Sequence, residues 1–164
     1  MLALTDHDDV SALAGTKAEI EKLGIRFIAG VEISSCWGNV SVHVLGLAID
    51  PANPVLGQGL KAIRDNRATR ARAMSVSLAE AGIEGGFEGA LGHAGNPTLL
   101  SRTHFARYLV DQGHARDVKS VFHRFLVEGK PGYVPQEWAK LDDAVGWIRA
   151  SGGLAVVAHP GRYR

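Results

Sequence analysis

Apolar positions follow two rhythms along this chain. Runs rich in β-branched residues, "IRFIAGVEIS" over 25–34 and "NVSVHVLGLAID" over 39–50, have the composition of buried strands. "LAVVAHPGRY" over 154–163 reads as another buried strand, finishing in His159, and residues 2–5 as the end of a first one. Elsewhere the period is helical. A helix is predicted from Val10 to Leu23, capped by Asp8 or Asp9 and closed by Gly24. Pro51 and Pro54 break the chain before a helix over 60–81, with Leu60, Ile63, Met74 and Leu78 on one side. Arg64, Arg67, Arg70 and Arg72 occupy much of the rest, as a solvated face. "GIEGGFEGALGHAGNP" reads as a loop. Helices follow over 101–112 and 116–127, the second with Val118, Val121, Phe122, Phe125 and Leu126 as an amphipathic stripe. "GKPGYVP" is a turn. The last helix, 141–150, has Asp142 and Asp143 in the first turn, where the dipole favours them, and Gly152 and Gly153 end it.

Strands alternating with helices at both ends predict an α/β fold with parallel strands, interrupted by an all-helical insertion. The expected division is 1–58, 59–135 for the insertion, and 136–164.

Composition narrows the class. With 164 residues and 46% apolar content there is room for one respectable core. The 18 Lys and Arg balance 17 Asp and Glu, which excludes a blanket of positive charge for bulk nucleic-acid binding but not a local basic patch. A single cysteine, Cys36, argues against a disulfide framework and fits the cytoplasm. No apolar run approaches the roughly 20 residues that span a membrane, and no signal-peptide layout is expected at the start.

Chemistry concentrates at the strands. The first runs into Asp6 and His7, the second carries Glu32, the third His43, and the last ends in His159. Strand C-termini are where α/β sites assemble. Imidazole with carboxylate suits Zn, Mn or Fe(II). A carboxylate inside an apolar run must be paired or metal-bound. On these residues alone, a metal site and a set of hydrogen-bonded structural histidines remain alternatives.

The motifs go further. "LALTDHD", "GVEIS" followed by "VHVLG", and "AVVAHPGRY" resemble, in order and spacing, consecutive motifs of the PHP (polymerase and histidinol phosphatase) family of metal-dependent phosphoesterases. "RTHFARYLVDQG" through "VFHRFLVEGKPGYV" further resembles its branch of 3′,5′-nucleoside bisphosphate phosphatases and 5′-to-3′ exoribonucleases. The resemblance implies a partial distorted (β/α)7 barrel with a helical insertion. It makes His7, Glu32, His43 and His159 metal ligands, with Asp6 behind them orienting an imidazole or water. The implied cofactor is a divalent metal, Mn with Zn or Fe as alternatives, two to three ions in a complete relative. The implied partner is a nucleotide or short RNA, with no membrane and no obligate protein partner. Hydroxide formed from water at the metals would attack phosphorus, while Arg102, His104 and Arg162 hold the phosphate. His93, His114 and His123 receive no role.

The family pattern also has a His-x-His and an Asp upstream of "TDH", and an Asp-x-His downstream of "HPGRY". Neither is found here, so the expectation is a chain truncated at both ends that carries about half of the ligands. Alternatives are a catalytically incomplete metal-binding module and a phosphatase for another phosphate monoester.

Overall fold

The computed structural model describes residues 1–163. Its elements are β1 (Leu2–Leu4), α1 (Leu13–Lys22), β2 (Phe27–Trp37), β3 (Val40–Leu47), α2 (Pro54–Glu80), α3 (Gly86–Gly92), α4 (Arg102–Asp111), α5 (Val118–Val121), β4 (Ala139–Lys140), α6 (Leu141–Ala150) and β5 (Leu154–Val157). The fold is a mixed α/β one, and the chain divides into two compact units, 1–63 with 138–164, and 64–137.

The first unit is built on a sheet in the order β1-β2-β3-β5, with β4 also on β2. The expectation of parallel strands holds for only two of the four pairings. β1 and β4 run parallel to β2, but β3 is antiparallel to both β2 and β5. The cause is local, because β2 and β3 are joined by a turn too tight for a crossover, with Gly38 at φ +56. Alternation along β2 and β3 sends Val31, Ile33, Val42 and Val44 into a core with Leu56, Leu60 and Ile63 of α2 and Ala144 and Ile148 of α6. Gly59 lets α2 approach α6: a Cβ there would lie 2.3 Å from Trp147 Cδ2.

Two expectations fail in this unit. β5 is not buried: Leu154 is 69% exposed, Val156 43% and Val157 49%. Its composition is that of a covered strand, but among the described residues it lies last in the strand order, paired with β3. The helix predicted from Val10 begins at Leu13 instead, with no side-chain cap. Asp9 is used up in a turn, accepting from the Val10 and Ser11 amides, and Asp8 turns inward to β2.

The second unit packs Met74 and Leu78 of α2 with Phe105 and Leu109 of α4, Val121 and Leu126. The glycine-rich stretch, expected as a loop, contains α3. Gly89 is there for close packing, since a Cβ would fall 2.1 Å from Tyr108 Cδ2. The Tyr108 hydroxyl donates to the Glu84 carbonyl at 2.7 Å. The helix expected over 116–127 is α only in α5 and opens into a π-turn over Phe122–Leu126. Nor is the arginine face wholly solvated: Arg70 Nε donates to the Val134 carbonyl and Arg72 lies over the Phe87 ring.

Candidate metal centre

Sheet geometry alone brings three predicted donors together. The β1–β2 register, Leu4 opposite Ala29, continues beyond β1 as a parallel bridge between His7 and Glu32. It is fixed by hydrogen bonds from the Glu32 amide to the Asp6 carbonyl and from the Asp8 amide to the Glu32 carbonyl, both 3.0 Å. Laterally paired residues share a face, so His7 and Glu32 emerge side by side. In the β2–β3 ladder Ser34 faces His43 and Glu32 faces Leu45, which makes Glu32 and His43 diagonal neighbours on that face. It is the face opposite Val31, Ile33, Val42 and Val44, so the site stands on the back of the core.

His159 arrives from just beyond β5. The Ala158 amide donates to the His43 carbonyl at 2.9 Å, and His159 takes a left-handed backbone, φ +32. A non-glycine residue there is strained, a condition that clusters at functional sites. The turn aims its ring inward, with Nε2 3.2 Å from Glu32 Oε1 and 3.3 Å from His43 Nδ1. His43 Nδ1 is 2.9 Å from the same Oε1, and His7 Nε2 is 3.9 Å from it. The donor atoms of His7, Glu32 and His43 all lie within 4.8 Å of one another, a group that could hold a metal ion.

The electrostatics agree with that use. Burial pushes the Glu32 carboxyl upward, but charge on His7 and hydrogen bonds with His43 and His159 outweigh it and hold its pKa below the ordinary value. Burial, helped by repulsion from His7 and His159, lowers His43 against the opposing pull of Glu32. The carboxylate therefore stays charged and the His43 imidazole neutral, the forms that coordinate metals.

Asp6 contributes its carbonyl to the Glu32 amide; its exposed carboxylate makes no hydrogen bond among the described residues. Two residues not foreseen support the site. Asp8, fully buried at φ +53, accepts from the Ser34 amide at 2.7 Å and the Ser34 hydroxyl at 2.9 Å, pinning the segment that carries His7. The Tyr163 hydroxyl touches both the His43 amide and the His159 ring. Only the inward turn of the chain after His7 distinguishes Asp8 from its acidic neighbours, and no sequence signal marks that turn.

Of the predicted phosphate-binding residues, Arg102 and His104 belong to the second unit and Arg162 to the first. Arg162 is exposed in the short helical turn Pro160–Arg162. Arg102 opens α4 with its guanidinium 5.6 Å from the Phe122 ring centre. His104 completes a capping box, its Nδ1 accepting from the Ser101 amide at 3.2 Å. Burial first, then Arg107, His93 and Arg67, lower its pKa.

No family model matches the chain. A 3′,5′-nucleoside bisphosphate phosphatase of Chromobacterium violaceum is 55% identical over 163 residues, 99% of this chain and 57% of that protein. The 5′-3′ exoribonuclease Rnm of Salmonella typhimurium is 43% identical over 164 residues, 99% of this chain and 56% of that protein. A solved structure described as a putative metal-dependent phosphoesterase from Bifidobacterium adolescentis superposes with a TM-score of 0.83 at 25% identity, over 97% of this chain and 56% of that one. The chain thus spans a little over half the length of the relatives it matches. Over that span it is similar to a nucleoside bisphosphate phosphatase, a 5′-3′ exoribonuclease and a metal-dependent phosphoesterase structure.

Proposed function

We propose that this chain holds the metal of a phosphoesterase that removes phosphate from nucleoside 3′,5′-bisphosphates or from the 5′ ends of short RNA. The observation that carries this is the convergence of His7, Glu32 and His43 donor atoms within 4.8 Å of one another, with His159 Nε2 alongside. Three imidazoles and one carboxylate suit Mn, Zn or Fe(II), and Mn is the proposed ion. When bound, such an ion supplies Lewis acidity, lowering the pKa of water and offsetting charge on a phosphoryl group.

The chain's own residues do the rest. Glu32, held ionised, would offset the ion's charge, and His7, His43 and His159 would supply nitrogen ligands to it. Asp6 is proposed to orient an imidazole or water. Arg102, His104 and Arg162 are proposed to take phosphate oxygens; arginine suits this because its planar fork grips two at once. The finer architecture proposed is part of a distorted (β/α)7 barrel with 59–135 as its insertion. The uncovered apolar strand β5 supports this, being composed for a neighbour on each face. The proposed setting is the cytoplasm, consistent with the single Cys36.

Phosphate release from a nucleoside 3′,5′-bisphosphate with Mn2+ tests the proposal. Expected is release that stops on chelation and in Glu32→Ala. Release that survives both, or none from metal-loaded wild-type protein, contradicts it, the latter leaving a metal-binding module.

A further inference from the structure

Tyr163 sits four residues after His159, across the turn Pro160–Arg162, and packs its ring against the core of the first unit. Its hydroxyl accepts the His43 backbone N–H at 2.8 Å and lies 3.1 Å from His159 Nδ1. His159 is therefore held at both ring nitrogens, Nδ1 by the phenol and Nε2 by Glu32 Oε1 and His43 Nδ1. The left-handed backbone at His159 provides no ladder to fix the ring, so these contacts set its direction.

The chemistry of the partner matters. A phenol oxygen has one O–H and two lone pairs, and the His43 amide uses one lone pair. With no cation present, His159 Nε2–H can donate to Glu32, and Nδ1 then accepts the phenol O–H. For Nε2 to offer its lone pair to a cation, the ring proton must sit on Nδ1, which then donates to the remaining phenol lone pair. The hydroxyl serves both arrangements, whereas a carbonyl or carboxylate, able only to accept, would serve just the second.

We propose that Tyr163 is a positioning residue that orients the His159 ring through both proton arrangements and so presents Nε2 to a divalent cation. This rests on His159 being a metal donor. Tyr163→Phe keeps the packed ring and deletes only the hydroxyl, so a purely structural Tyr163 would leave cation binding intact.

The test is calorimetric titration of wild type and Tyr163→Phe with Zn2+, with long-range 1H–15N spectra of the His159 ring before and after loading. Expected is affinity about 10- to 100-fold weaker in the variant, the usual cost of losing a ligand's hydrogen-bond partner. Expected too is a wild-type His159 protonated at Nδ1 once loaded. Affinity within about twofold, with unchanged His159 signals, overturns the proposal. Should the variant not fold, the wild-type spectra decide: a proton on Nε2 in the loaded protein overturns it. Wild-type protein that binds no Zn2+ refutes instead the reading of His159 as a donor.

Discussion

The carboxylate of Asp8 and the backbone amide of Ser34 lie 2.7 Å apart, with the Ser34 hydroxyl 2.9 Å from the other carboxylate oxygen. This pair ties the segment after β1 to the middle of β2, one residue beyond His7 and two beyond Glu32. Removing the carboxylate deletes the acceptor of both hydrogen bonds. Asp8→Ala should destabilise by about 2–4 kcal/mol in chemical denaturation. Asp8→Asn should cost less, because asparagine tolerates φ +53 and keeps an acceptor. Equal losses in the two variants would deny the hydrogen bonds their role.

Glycines in α2 separate two effects. Nothing lies within 4 Å of a Cβ built on Gly57, whereas one on Gly59 enters the Trp147 ring. Gly57→Ala should stabilise by about 0.5–1 kcal/mol through helix propensity. Gly59→Ala should destabilise by about 1–3 kcal/mol through overpacking. Urea denaturation of the two variants reads both signs.

Acid should loosen the second unit through His104. Its folded pKa lies below 6.5, because burial and nearby cations oppose the charged ring. Between the two values the unfolded chain binds more protons, so stability is present above 6.5 and is lost as pH falls through the folded pKa. Protonation also removes the Nδ1 acceptor of the capping box. Gln can fill that position without titrating. The melting temperature of wild type should therefore fall more steeply than that of His104→Gln between about pH 7 and about pH 5. Parallel profiles would contradict this.

β5 carries Leu154 at 69% exposure on a strand paired on one side among the described residues. An apolar edge of this kind templates pairing with other chains. Light scattering should show concentration-dependent association of the protein, reduced by Leu154→Lys. Association that is unaltered in the variant would place the sticky surface elsewhere.

What could be read beforehand follows from the physics. Glu32 and His43 stood out because each interrupts an apolar strand, and strand alternation then put them on one face without further information. The helix Leu141–Ala150 was legible to the residue, since capping charges and terminal glycines both mark it. The antiparallel hairpin is masked in the sequence by strand–helix alternation, which suggests crossovers, although Gly38 sits at its turn. α3 is not legible in the sequence, because glycine signals both flexibility and close approach, and only the Tyr108 ring tells them apart. Asp8 and Tyr163 depend on contacts 26 and 120 residues away, which no local pattern carries.

Calorimetric titration with Mn2+ of wild type and Glu32→Gln tests the shared cation site most directly, since Glu32 Oε1 lies within 4 Å of a nitrogen of each of His7, His43 and His159. Expected is saturable binding by wild type, weakened by at least about 100-fold in the isosteric variant, which keeps the shape and loses the charge. Equal binding by the two proteins, or none by wild type, would contradict it.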